Sequence, residues 1–254
     1  MTDLLTTPVP GPHLPLALAR CWRTLAVGDR CSIVVPHGPP DDDPCAFERH
    51  ALRRVCEGAG FTDVRITAER GPGGDPRLRA RMTRARSLPD VVGPGMRLLV
   101  VGLNPSEYAA DVGVGFARGG NRFWPAALAA GIASTDRDPD AALADHGTGM
   151  TDLVKRATRT AAEVSAEEFR AGGVRLAHLV AWLRPAVVCV AGVTGWRAAV
   201  DRRASIGPQP APLGGRPVYV MPNPSGLNAH DTVASLAEHL RSAVALGRGS
   251  DVSR

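Results

Sequence analysis

Residues 96–126 read MRLLVVGLNPSEYAADVGVGFARGGNRFWPA, and this stretch decides the fold. MRLLVV (96–101) is a continuous apolar run, the pattern of a strand covered on both faces, and Gly, Asn and Pro follow it at once. A second strand-like run, RPVYV (216–220), leads into MPNPSGLNAH (221–230) in the same way. In an open α/β sheet the ligand crevice lies beyond the carboxyl ends of the strands, so the two polar segments are candidate halves of one site.

Outward from these runs, AVVCVAG (186–192) reads as a third buried strand. FWPAALAAGI (123–132), residues 194–203 and HDTVASLAEHLRSAVALG (230–247) read as helices. SAEEFRAGGVRLAHLVAWLRP (165–185) opens on the capping pattern Ser165-x-x-Glu168 and stops at a proline. Alternating strands and helices predict an α/β domain over 88–247, a mostly parallel central sheet flanked by helices and joined by right-handed crossovers. The glycines at 113, 115, 119 and 120 fall about ten residues past the first strand. A dinucleotide fingerprint needs them at its turn.

The N-terminal part has a separate pattern. LPLALARCWRTLAV (14–27) predicts a helix, CSIVV (31–35) a strand, AFERHALRRVCEGAG (46–60) a helix and FTDVRIT (61–67) a strand, a small α/β unit over 1–68. ERGPGGDPRLRARMTRARS (69–87) is dominated by Gly, Pro and Arg and reads as a basic linker. Its arginines 70, 77, 79, 81, 84 and 86 face one aspartate, Asp75; they solvate the linker or form a phosphate-contacting arm. Residues 248–254 read as a tail.

Composition narrows the class. Hydrophobic residues make up 44% and charged residues 22%, ordinary for a globular protein. No apolar run approaches the ~20 residues that span a bilayer, and the start lacks the n- and h-regions of a secretory signal. Cys21, Cys31, Cys45, Cys56 and Cys189 match no zinc or iron–sulfur spacing. The expectation is a cytoplasmic protein with reduced thiols and no metal, nucleoid-associated if bacterial. A net charge of +5 is compatible with a polyanionic partner and equally with a solvated surface.

GLNPSEYAADVGVGFARGGNRFWPA (102–126) resembles the first motif of the mismatch-specific uracil/thymine DNA glycosylase family, and MPNPSGLNAH its second. GMTDLVKRATRTAAEVSAEEFRAGG (149–173) is similar to the family's middle, so the resemblance runs from about Ser87 to Gly247. It implies a uracil-DNA glycosylase-like fold and hydrolysis of the N-glycosidic bond of a uracil, or a related pyrimidine, flipped out of duplex DNA to start base excision repair. Asn104 then matches the water-positioning catalytic asparagine, and Leu103, Phe116 and Asn121 the base pocket, with Phe116 stacking on the base. Asn223, Pro224, Ser225 and Gly226 would approach the sugar and phosphates, and Leu227 would be the wedge that fills the vacated stack. The resemblance implies no cofactor, no metal and double-stranded DNA as partner, and a monomer suits a protein that must slide along DNA. No lysine stands where an attacking amine is expected, so a monofunctional hydrolase is implied.

Three departures stand out. Ser106 replaces the family's glycine after Asn-Pro, and Glu107 places a carboxylate beside it. The arginine often found after the wedge is absent, leaving Asn228 or His230 to meet the opposite base. One alternative, resting on Ser106, is a non-catalytic DNA-binding protein of the same fold. Another comes from residues 1–67, which look like the later part of a class I methyltransferase fold. With no room upstream for the glycine-rich strand and turn that would hold S-adenosylmethionine, that unit is expected to be a remnant or docking module without cofactor.

Overall fold

The computed structural model describes residues 2–5, 7–226 and 230–251. The N-terminal unit comprises β1 (Thr2–Asp3), α1 (Leu14–Arg23), β2 (Arg30–Pro36), α2 (Arg49–Gly58), β3 (Phe61–Arg70) and β4 (Pro76–Arg84). Its strands form one sheet in the order β1-β2-β4-β3, with β4 antiparallel to both neighbours. The core beneath it joins Leu14, Leu18 and Trp22 of α1 to Leu52 and Cys56 of α2 and to Ile33, Leu78 and Ala80 of the sheet.

The expected linker at 69–87 is therefore corrected: most of it is a hairpin arm, and β4 is an interior strand. The reason is a period-two pattern that the arginine count obscures. Leu78, Ala80 and Met82 are buried, while Arg77, Arg79 and Arg81 alternate with them toward the other face. The Gly/Pro cluster supplies the turn instead of a flexible joint, with the N–H of Gly71 donating to the Asp75 carbonyl at 2.9 Å and Gly74 at φ +82°. Most of these arginines are also engaged within the protein. Arg77 pairs with Asp75, Arg79 with Glu69 and Asp3, and Arg86 with Asp111, while the Arg84 guanidinium lies 3.9 Å from the Trp22 ring centre.

The second unit carries β5 (Leu98–Gly102), α3 (Glu107–Val112), α4 (Phe123–Ala130), α5 (Pro139–His146), β6 (Thr148–Asp152), α6 (Ala166–Leu183), β7 (Val188–Ala191), α7 (Val193–Ala199), β8 (Gly207–Pro208), β9 (Val218–Met221) and α8 (Val233–Asp251). Strand order is β6-β5-β7-β9-β8; the first four are parallel and β8 is an antiparallel edge. Alternation along the strands fills both faces. Leu98, Val100, Cys189 and Met221 pack with Phe123, Trp124 and Leu240 on one side. Leu99, Val101, Val190 and Val220 pack with Phe169, Leu176, Val180 and Trp196 on the other. The expected mostly parallel sheet with flanking helices is present, and the Ser165/Glu168 capping box forms at the start of α6. The expected tail is corrected as well, since α8 continues to Asp251. Among the described residues no helix is long and apolar enough to cross a membrane.

The two units meet across a polar, interlocked seam. The N–H of Asp90 donates to the Gly58 carbonyl at 2.8 Å, and a Cβ on Gly58 would come within 2.4 Å of an Asp90 carboxylate oxygen. Arg23 reaches Asp140 at 2.9 Å, and Phe47 meets Trp182 edge to face at 6.2 Å. A paired strand resists proteolysis where a linker does not, because cleavage needs a locally unfolded segment. Limited trypsin digestion of the native protein is accordingly expected to spare the bonds after Arg79, Arg81 and Arg84. Early cutting at those three sites would restore the linker.

Candidate active site

The carboxyl ends of the parallel strands converge. Gly102 of β5, Asp152 of β6, Ala191 of β7 and Asn223 beyond β9 all line one cavity of about 170 Å³. β5 sits between β6 and β7, the point at which successive crossovers leave in opposite directions, where such sheets open a crevice.

Asn104 stands two residues past the end of β5. Its Nδ2 donates to the Pro105 carbonyl at 3.1 Å, the Arg156 carbonyl at 3.1 Å and Thr158 Oγ1 at 2.7 Å. Two of these partners are carbonyls and can only accept, which fixes the amide's orientation. Asn104 Oδ1 has no protein donor among the described residues and is left to accept from a ligand or water. The Arg156 segment is itself braced, because its guanidinium grips Glu168 at 2.7 and 3.0 Å, and Glu168 also closes the cap of α6.

Phe116 adopts φ +58°, a conformation costly for a bulky side chain and therefore informative at a site. Its ring stacks on Phe123 with centroids 4.3 Å apart, and Phe116 lines the cavity. Trp124 anchors the same loop by donating from Nε1 to the Gly115 carbonyl at 2.8 Å. Phe123 and Trp124 themselves are fully buried core residues. Asn121 also lines the cavity; its Oδ1 accepts from the Phe123 N–H at 2.9 Å, which leaves its Nδ2 hydrogens for a ligand acceptor. Leu103 contributes at the wall, with its side chain turned against Gly192 and Gly195.

From the second motif, Asn223 and Ser225 line the cavity, with the Ser225 N–H donating to Asn223 Oδ1 at 3.0 Å. Pro224 and Gly226 are outside the cavity lining. The Pro224 carbonyl accepts from the Arg122 N–H at 2.9 Å, and a Cβ on Gly226 would stand 2.8 Å from the Gly120 carbonyl. Arg122 is a positioning residue that sequence reasoning missed. Its guanidinium donates to the Ser225 and Asp231 carbonyls and so clamps one motif to the other. His230 is exposed and outside the cavity lining. Leu227 and Asn228, the expected wedge and its neighbour, lie outside the described residues.

Two departures acquire plain structural roles. Ser106 is the N-cap of α3, its hydroxyl accepting from the Ala109 N–H at 3.1 Å. Glu107 pairs with Arg86 at 3.2 Å and Arg159 at 3.8 Å on the surface.

Asp152 was not anticipated. It lines the cavity, yet its carboxylate has no protein hydrogen-bond partner among the described residues. Gly102 makes room for it, since a Cβ there would lie 2.2 Å from Asp152 Oδ1 and 3.4 Å from Phe116 Cζ. The cations nearby are committed elsewhere: Lys155 and Arg175 each contact the buried Asp90 at 2.8 Å. Burial pushes the Asp152 carboxyl up to about 6; the Asp90 charge adds to the rise, and Lys155 and Arg175 only partly oppose it. For Asp90, burial is outweighed by Arg175 and Lys155, which hold its carboxyl below the usual range. The rule that singled out Asn104 would have found Asp152, had the short strand THR-GLY-MET-THR-ASP at 148–152 been recognised.

Fold and site together define an α/β protein with a small crevice at its strand ends, walled by an aromatic ring and lined with amides. Residues 89–245 match the family model described as the uracil DNA glycosylase superfamily, and the chain belongs to that superfamily. It is thus a DNA glycosylase of the uracil-acting class, a hydrolase whose partner is DNA.

A carboxyl whose folded value exceeds its unfolded one takes up protons on folding, so its ionisation costs stability as pH rises through the gap. Asp152 does this between the ordinary carboxylate value and about 6. Asp152→Asn is expected to stabilise the protein by about 2–3 kcal/mol at pH values above that window and by almost nothing below it. Urea unfolding at both pH extremes checks this, and equal stabilities above the window would remove the claimed strain.

Proposed function

We propose that this protein removes uracil, or a related mispaired or damaged pyrimidine, from double-stranded DNA, acting as a mismatch-specific glycosylase of the monofunctional kind. The observation that carries the reading is convergence: Asn104, Phe116, Asn121, Asn223 and Ser225, drawn from segments a hundred residues apart, meet in one cavity of about 170 Å³. The chemistry fits those positions. A base stacked in a duplex must be rotated out to be reached, and the Phe116 ring at the cavity wall offers it an aromatic partner. Asn121 Nδ2 and the main-chain N–H groups of Asn104 and Phe116 can donate to the base oxygens, which gain charge as the bond to C1′ breaks. Asn104 Oδ1 accepts from the attacking water and orients it. Arg118 and Arg159, exposed at the rim, suit phosphates of the distorted strand. Leu227 keeps its reading as the wedge, with Asn228 and His230 beside it.

Strand nicking through a Schiff base is not expected. The chain's one lysine, Lys155, has its amine on the buried Asp90 carboxylate. The alternative of an inactive DNA-binding relative rested on Ser106, and a helix-capping hydroxyl gives no reason for lost activity. We read the N-terminal unit as a methyltransferase-like docking module without cofactor, supported by the antiparallel β4 lying between two mutually parallel strands, β2 and β3.

The test is a glycosylase assay on labelled duplexes carrying uracil opposite guanine or adenine and thymine opposite guanine, with a single-stranded uracil control. Cleavage is expected in duplex only and best opposite guanine. Asn104→Ala should slow the reaction by roughly 100-fold or more while duplex binding persists, the usual effect of a misplaced reactant. An alanine variant as fast as the wild type would defeat the assignment.

A further inference from the structure

We propose that Asp152 is the general base of the hydrolysis, accepting the proton of the water that Asn104 positions. The inference rests on the glycosylase reading and deepens it. Hydrolysis at C1′ needs an acceptor for a water proton, and a carboxamide cannot serve: Asn104 orients water but does not ionise. Among the described residues lining the cavity, the titratable side chains are Asp152, Arg118 and Arg159, and an arginine stays protonated. Among those described residues Asp152 is thus the single base.

Its setting matches the role. The buried Asp90 takes hydrogen bonds from Thr151, Lys155 and Arg175, whereas Asp152 is half-buried at the cavity wall. Asp152 takes none among the described residues and faces the cavity with its oxygens free. Its backbone is held firmly, since the Asp152 carbonyl accepts from Arg175 Nη2 at 2.5 Å and β6 pairs in register with β5. The bare Gly102 admits Oδ1 beside the edge of the Phe116 ring, against which the base would stack. The charged groups that face it are Asp90 from the segment before β5, Lys155 from the segment after β6 and Arg175 from α6, with Arg118 and Arg159 at the rim. A carboxyl at about 6 is mostly ionised at neutral pH yet more basic than an ordinary aspartate, the poise a general base needs.

The step balances without a further reactant. A water lone pair forms the bond to C1′ as the C1′–N1 pair departs with the pyrimidine. One water proton passes to Asp152, and the hydroxyl remains on C1′. The base leaves as an anion, and Asp152 then returns its proton to solvent.

The deciding experiment is the single-turnover rate on a uracil:guanine duplex from about pH 5 to pH 8.5, for full-length wild type, Asp152→Asn and Asn104→Ala. Duplex affinity and near-ultraviolet circular dichroism are measured alongside. The wild-type rate should climb through about pH 6 and level off. Asp152→Asn should fall by about 100-fold or more and lose the inflection, with affinity and fold unchanged. The inference is overturned by a wild-type profile with no inflection in that region, or by an Asn variant that keeps the wild-type rate. In the latter case a slow Asn104→Ala would leave the glycosylase reading standing. Failure of the wild type on every duplex would remove both.

Discussion

Asp90 is almost wholly buried, and the arrangement of both units depends on how its charge is met. Its carboxylate takes Thr151 from β6, Lys155 from the segment after it and Arg175 from α6, and its N–H reaches Gly58 of the first unit. An isolated charge at such depth would cost several kcal/mol, so the two cations are required where they stand. That requirement carries over to the pocket. Each cation used on Asp90 is one that does not form a hydrogen-bonded pair with Asp152, and so a second carboxylate stands at the cavity wall without a hydrogen-bond partner among the described residues. One buried cluster thereby fixes the seam between the units and sets the electrostatics of the site.

The two motifs are joined by contacts of a different kind. Arg122 donates to carbonyls of the second motif, and the chain at Gly226 comes so near Gly120 that a Cβ has no place. Neither Arg122 nor Gly226 lines the cavity itself. They decide whether Asn223 and Ser225 face Asn104 and Phe116 at all, and Phe116 tolerates an unfavourable φ because Phe123 and Trp124 hold its loop from behind.

The legible parts of the sequence were those in which local pattern and tertiary role coincide. Continuous apolar runs gave β5, β7 and β9, the Ser165/Glu168 cap gave the start of α6, and the polar segments after β5 and β9 gave most of the cavity wall. What escaped did so for physical reasons. β4 is an amphipathic strand whose outer face is arginine, and arginine on an exposed face neutralised by Asp75, Glu69 and Asp3 has the composition of a linker. β6 is five residues with little apolar content and owes its place to pairing with β5. Asp90, Arg122 and Asp152 follow no local pattern, because each is defined by partners, or by their absence, far along the chain.

The departures from the family pattern should be weighed by the same standard. Ser106 and Glu107 sit inside the motif and invite a functional explanation, yet one caps a six-residue helix and the other pairs with surface arginines. Asp152 lies outside both motifs and drew no attention. A side chain's distance from a motif in sequence is thus a poor measure of its distance from the chemistry. What separates these cases is hydrogen-bond accounting: the Ser106 hydroxyl and the Glu107 carboxylate have protein partners, while the free oxygens of Asn104 and Asp152 have none among the described residues. Polar atoms left open in a cavity of this size must find their partners in whatever enters it, and a water caught between an amide oxygen and a carboxylate is oriented by one and deprotonated by the other.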